Sequence, residues 1–205
     1  SRDKIRMLRA GLNYDWIDRT GRNFIALSIF QGLSDALGAM ESNDTKSSRF
    51  GADNRFTKAY LNLVRVQRIV DRVSIILRGA GQATTRPLVA IEEFYIGGAD
   101  SVRGYPPGEF LGDDGYNVST ELRVSPLSNQ EILQLALFVD HGGVSIKDPL
   151  SGVKKHNHLT GAGFGFRLSL PYNINGRFDV GFPVQPSKAS TGDRPTLYIQ
   201  AMARF

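Results

Sequence analysis

Hydrophobic and polar residues alternate along most of this chain, in segments of about ten residues. Leu8, Ala10, Leu12, Tyr14 and Trp16 fall on one side of the first segment, and Met7, Arg9, Gly11, Asn13 and Asp15 on the other. A second, less regular segment runs from Asn23 to Gln31. Phe56 to Val70 and Val73 to Gln82 read as a hairpin with a very short turn near Asp71. There, Lys58, Arg65, Arg68 and Arg78 interrupt the pattern. Five cleaner segments follow. Val118, Thr120, Leu122 and Val124 alternate with Asn117, Ser119, Glu121 and Arg123. Leu133, Leu135, Leu137 and Val139 alternate with Gln134, Ala136, Phe138 and Asp140. Ala162, Phe164, Phe166, Leu168 and Leu170 alternate with Gly161, Gly163, Gly165, Arg167 and Ser169. Phe178, Val180 and Phe182 then alternate with Arg177, Asp179 and Gly181, and the segment from Leu197 to Phe205 is built the same way. A period of two is the period of a β-strand, so the pattern predicts about nine strands.

The connectors sort by length. Turns near Asp71, Leu127–Gln130 and Asn173–Gly176 are short; loops at about 34–54, 85–115, 146–159 and 186–194 are long. Apolar faces opposite polar, glycine- and arginine-bearing faces, with short turns at one end and long loops at the other, describe a transmembrane antiparallel β-barrel with a polar interior. A soluble sandwich alternates too, but does not sort its loops this way. It would also seldom place Arg9, Arg78, Arg123 and Arg167 on its inner face.

Composition changes this picture little. The chain has 205 residues, no cysteine and a net charge of +5. No run of about 18 apolar residues is present to form a membrane-spanning helix. The basic excess is spread over strands without an aromatic platform, which disfavours a nucleic-acid module. About nine strands is an odd number, whereas single-chain bacterial barrels have even numbers. The expectation is therefore the C-terminal part of a larger barrel.

The stretch Gly97-Gly98-Ala99-Asp100-Ser101-Val102-Arg103-Gly104-Tyr105 stands out within the long segment from about Thr85 to Gly115. Loops of this length tend to be functional or disordered. This one carries Phe94, Tyr95, Ile96, Phe110 and Leu111, which give it something to pack. A single arginine at the tip of a tight turn calls for a carboxylate, because its planar fork suits bidentate pairing. Asp140 lies on the polar face of its strand; on the lipid face a carboxylate would be costly.

Several of these residues together resemble the two-partner secretion transporters, the hemolysin activation/secretion proteins of the barrel-assembly superfamily. Val102-Arg103-Gly104-Tyr105 matches the family's loop tip, and Gly112-Asp113-Asp114-Gly115 leads into a strand with Glu121-Leu122-Arg123. Phe138-Val139-Asp140-His141-Gly142 matches a Phe-x-Asp-x-Gly pattern, and Gly161-Ala162-Gly163-Phe164-Gly165-Phe166-Arg167 and the terminal Phe205 follow. The resemblance implies a sixteen-stranded barrel with the arginine loop between strands eleven and twelve. Counting back from Phe205 makes the strand at 116–125 the twelfth, so that Ser1 opens the eighth. The family's POTRA domains, plug helix and first strands are then not in this sequence.

The resemblance further implies that the loop folds into the lumen and that Arg103 pairs with Asp140. Val102, Gly104, Tyr105, Phe138 and Gly142 form the tip and its clasp. Gly97, Gly98, Ser101, Gly112, Asp113, Glu121, Arg123 and Arg167 support loop and lumen, while the inward Gly161, Gly163 and Gly165 leave room for the loop hairpin. Phe205 serves as the assembly signal. The implied function is export of a large partner protein in unfolded form across a Gram-negative outer membrane. The partners are that protein, the lipid bilayer and the barrel-assembly machinery, with no cofactor, metal or catalysis. The rival from the same superfamily inserts nascent outer-membrane barrels; a passive porin would have no use for the arginine tip. An enzyme would need a nucleophile–base pair, and neither His141, on the predicted lipid face, nor His156-x-His158, in a polar loop, supplies one. Glu92 and Glu93 are adjacent on an extended chain and face opposite ways.

Overall fold

The computed structural model describes residues 3–33, 38–40, 47–49, 51–52, 54–127, 129, 132–171, 173–185 and 188–204. Phe205 and parts of the expected turn at 127–130 lie outside the described residues, as do parts of the expected loops at 34–54 and 186–194. Nine strands form one antiparallel sheet in the order β1 (Met7–Ile17), β2 (Gly21–Gly32), β3 (Thr57–Val70), β4 (Val73–Thr84), β7 (Asp114–Val124), β8 (Leu133–Ser145), β9 (His156–Leu170), β10 (Ile174–Pro183) and β11 (Thr196–Ala203). The remaining two, β5 (Phe94–Ile96) and β6 (Phe110–Gly112), pair only with each other, inside the long segment between β4 and β7. The sheet is open, with β1 and β11 as its edges.

The central strands present the two faces that their alternation predicts. Leu135, Leu137, Val139, Phe164, Phe182, Leu197 and Ile199 are exposed large apolar residues on the outward face. On the inward face Glu121, Phe138, Asp140 and Asp179 are buried. An apolar surface this extensive on a water-soluble monomer would be a liability; facing lipid, it is what holds the sheet in place. The core lies on the other side of the sheet. Phe94, Ile96, Val102 and Tyr105 of the inserted segment pack with Val144 and Leu159 of the wall. A smaller cluster of Met40, Ala52 and Val89 packs with Ile5.

The structure corrects four expectations. Lys58 and Arg78 do not break the pattern: Lys58 is buried against Glu92, and Arg78 pairs across the strands with Val64 on the inward face. The third long loop is shorter than 146–159, because β9 already begins at His156. His156 and His158 are thus strand residues, paired with Ser145 and Gly143. The turn near 173 closes earlier, with Asn173 at φ 55° and β10 starting at Ile174. The segment 85–115 carries the β5–β6 hairpin and ends where β7 starts, at Asp114.

The two faces should respond oppositely to charge. Leu137→Arg on the outward face is expected to cost about 2–4 kcal/mol if it sits near the bilayer midplane. Asn62→Arg, on the inward face, should leave barrel formation intact. Heat-modifiable gel migration of the full-length protein in its membrane reads the difference.

Candidate functional site

Strand register lines up the receptor for the loop. One inward row across β7, β8 and β9 is Ser119, Asp140 and Gly161; the next is Glu121, Phe138 and Gly163; the third is Arg123, Ala136 and Gly165, continued by Asp179 on β10. Into this array the loop places Arg103, which is only 2% exposed, while Glu121, Asp140 and Asp179 are fully buried.

All five guanidinium N–H groups of Arg103 find acceptors. Nε donates to Asp140 Oδ2 at 2.7 Å and Nη2 to Asp140 Oδ1 at 2.8 Å, a bidentate pair. Nη1 donates to Glu121 Oε2 at 2.8 Å and to Asp179 Oδ2 at 3.2 Å, and Nη2 also donates to Ser119 Oγ at 3.3 Å. The backbone N–H of Arg103 adds a bond to Asp140 Oδ2 at 3.1 Å. The guanidinium carbon lies 3.3 Å from the centre of the Phe138 ring. Phe-x-Asp thus acts as a unit: two residues apart on a strand they share a face, so the phenyl ring carries the flat side of the guanidinium while the carboxylate takes its edge.

The wall brings further cations to the same carboxylates. Arg123 Nε reaches Glu121 at 2.7 Å, and Arg167 bridges Glu121 at 2.8 Å and Asp179 at 2.5 Å. Arg177 reaches Asp179 at 2.7 Å and the loop's Asp100 at 3.2 Å. Arg78 stands 3.8 Å from Glu121. Removing one member of such a network leaves buried charge uncompensated, a change that is destabilising by about 3–5 kcal/mol for a fully buried pair.

Close backbone approach seats the tip. Gly104 has φ +100°, and a Cβ there would stand 2.6 Å from the Phe182 carbonyl carbon. A Cβ on Gly161 would meet Arg103 O at 1.7 Å, and one on Gly181 would meet Gly104 N at 2.5 Å. Gly161 and Gly181 therefore form the slot for the tip. Gly163 and Gly165 make room for the wall groups that hold Arg103: the first accommodates the Phe138 ring and the second the Asp179 carboxylate. Tyr105 is buried and donates its hydroxyl to Thr160 O at 2.9 Å. Tyr198 on β11 donates to Tyr105 O at 2.7 Å and accepts from Gly104 N at 3.1 Å.

The tip turn itself closes where Gly98 N donates to Val102 O at 3.2 Å and to Tyr105 O at 3.1 Å. Gly97, at φ +101°, lies against Pro106 O, where a side chain would collide. Ser101 Oγ accepts from Asn117 at 3.2 Å. Gly142 faces Ile96 and Val102, and Gly112 packs on Val144 and Ser145.

A second clasp anchors the roots of the loop. Arg49 makes a bidentate pair with the fully buried Asp113 at 2.6 and 2.9 Å, and also reaches Glu93 at 2.6 Å and Lys147 O at 2.7 Å. Asp113 in turn accepts the backbone N–H groups of Leu88 and Lys147, both at 2.6 Å. Three outer loops thereby meet at one carboxylate. Burial, countered in part by Arg49, holds the Glu93 carboxyl above its usual range.

The sequence reading named Arg103, Asp140, Glu121, Arg123, Arg167 and Asp113 but missed Asp179, Arg177, Gly181, Tyr198 and Arg49. Asp179 and Arg177 could have been found, because both lie on the polar side of an alternating segment. Arg49 carries no periodic signal.

Residues 1–168 match the family described as haemolysin secretion/activation protein ShlB/FhaC/HecB. The chain belongs to this family. It is therefore a Gram-negative outer-membrane β-barrel protein of the two-partner secretion class. The heme/hemopexin transporter protein HuxB of Haemophilus influenzae is 27% identical over 173 residues, covering 81% of this chain and 30% of HuxB. HuxB of strain 86-028NP is also 27% identical, over 181 residues, covering 84% of this chain and 32% of that protein. The chain thus spans about a third of the length of the curated relatives it matches. Among solved structures, CdiB from Escherichia coli has a TM-score of 0.75 at 21% identity, covering 97% of this chain and 36% of CdiB. BamA from Haemophilus ducreyi lacking POTRA domains 1-3 has a TM-score of 0.70 at 17% identity, covering 96% and 42%. These two likenesses establish the fold.

Two outcomes follow from the geometry. In the full-length family member, Gly161→Ala should dislodge the tip, whereas Gly176→Ala, whose Cβ would meet nothing nearer than 3.6 Å, should not. Limited proteolysis within residues 85–113 distinguishes them. Asp113→Ala should leave the tip docked but expose the loop roots, seen as new cleavage between residues 85 and 93.

Proposed function

We propose that the chain is the C-terminal part of the barrel of an outer-membrane transporter that exports a large partner protein in extended form. On this reading the segment 85–113 occupies the lumen and is held to the wall by Arg103. The observation that carries it is the five-donor clasp: one loop arginine engages carboxylates from β7, β8 and β10 at once. A pore for passive diffusion has no need to bury a charged loop tip in its wall. No covalent chemistry is required of the site. The loop works as a removable restraint: docked, it ties together the five wall strands β7 to β11 and narrows the lumen; displaced, it frees space along an arginine-bearing path. Such a path offers a passing chain few apolar surfaces to bind tightly.

The fold is shared with both CdiB and BamA, so the fold by itself does not choose between export and the alternative of barrel insertion. The family match supports export. HuxB, a transporter by name, supports the same reading.

The test uses the full-length protein in its native outer membrane. Arg103→Ala and Asp140→Ala should each reduce secretion of the partner at least tenfold while the barrel still migrates as a folded species. The swap Arg103→Asp with Asp140→Arg should restore only part of it, because Glu121 and Asp179 would still lack their loop cation. Unchanged secretion in both single variants would refute the clasp as a working part.

A further inference from the structure

The chain's three histidines, His141, His156 and His158, gather on the outward face, opposite the clasp. On β8 the outward residues Leu133, Leu135, Leu137 and Val139 form an apolar run of about 20 Å along the strand, and His141 is the next outward residue. On β9 the run from Leu170 to Ala162 is followed by Thr160, His158 and His156. Register sets His141 beside Thr160, and Gly143 between Tyr116 and His158. With no side chain on Gly143, the Tyr116 ring lies directly over it.

The side chains form two hydrogen-bonded groups, brought side by side by the His141 and His158 rings, whose centroids are 6.3 Å apart. The Tyr116 hydroxyl and His141 Nε2 are 3.1 Å apart, and His141 Nδ1 is 2.9 Å from Thr160 Oγ1. Lys188, from the loop between β10 and β11, donates to His158 Nε2 at 2.8 Å and to His158 O at 3.2 Å. A lysine can only donate, so neutral His158 carries its proton on Nδ1. Two acidic groups of neighbouring segments are engaged elsewhere. Asp114 holds Lys147 at 2.7 Å and accepts Thr84 N at 2.7 Å, and Glu109 accepts from Ser190 N and Oγ.

We propose that His158 and Lys188, flanked by the Tyr116–His141 pair, form a seat for the phosphate headgroup of an outer-leaflet lipid, whose acyl chains run down Val139, Phe164 and Phe182. Two features select this occupant. Lys188 has one ammonium N–H, and His158 its Nδ1–H, outside the bonds named above, a cation and a donor of the kind that an anion with several acceptor oxygens takes. The seat also sits on the last polar step above a continuous apolar wall, at the end of the strands that bears the long loops and hence faces outside. A soluble anion would have no use for that wall, and plain interfacial anchoring would be served by tyrosine or tryptophan alone. The inference is independent of what the barrel transports.

The full-length protein, purified in detergent, is titrated with diphosphorylated lipid A and followed by native mass spectrometry. Dephosphorylated lipid A and inorganic phosphate serve as comparison probes. The wild type should retain the phosphorylated lipid. The pair His158→Ala with Lys188→Ala should bind it roughly tenfold more weakly, the loss expected for one charge-assisted hydrogen bond, with unchanged heat-modifiable migration. If that pair does not fold, Lys188→Gln alone carries the test, since it alters one loop side chain. Three results would overturn the proposal: undiminished retention in the folded variant, equal retention of the dephosphorylated lipid, or occupancy by inorganic phosphate alone that the same substitutions abolish.

Discussion

An arginine cannot be buried unless every donor on its planar fork is met, and that requirement organises this structure. Meeting five N–H groups takes acceptors arranged around a plane, which one strand cannot supply. Here they come from β7, β8 and β10, brought together by register across an uninterrupted sheet. The loop tip is specified by the sheet, and the sheet's inward chemistry makes sense only with the tip in place. Asp140 shows this most clearly. Among the described residues its hydrogen bonds all come from Arg103, whereas Glu121 and Asp179 also hold wall arginines.

Glycine does the complementary work. Large inward groups on one strand are accommodated by missing side chains on the next: Phe138 over Gly163, Asp179 over Gly165, and the Arg103 backbone over Gly161. The inner surface therefore has depth where the loop docks, while the outward surface is an even run of aliphatic and aromatic side chains. Binding detail and membrane compatibility share the same strands without conflict, because a period of two keeps them on opposite sides.

That separation explains how much could be read from the sequence. Lipid on one face and a polar interior on the other impose a strong alternation, so the nine strands and the inward orientation of Asp140 were legible. The tip was legible as a motif. Contacts between distant segments were not. Arg49 and Asp113 are 64 positions apart, and Tyr198 reaches Tyr105 across 93 positions; nothing local to either residue announces the other. Alternation likewise gives the face that Gly163 and Gly165 occupy, but not that the Phe138 ring and the Asp179 carboxylate fill the space above them. His156 and His158 read as loop residues in the sequence because polar outward residues end the lipid-facing alternation before the strand itself ends.

The cluster's charge is unequal. Arg78, Arg123, Arg167 and Arg177 stand around three carboxylates, and Arg103 adds a fifth cation from the loop. Withdrawal of the tip, the movement proposed above, would remove Arg103 and the loop's Asp100 together, one charge of each sign, and would leave Asp140 without its partner. The two positions of the loop thus differ in the electric field they present to mobile ions. Arginines outnumber carboxylates by one in either position, so both would favour anions, and movement of the loop would redistribute charge along the wall, baring Asp140, rather than change its sum.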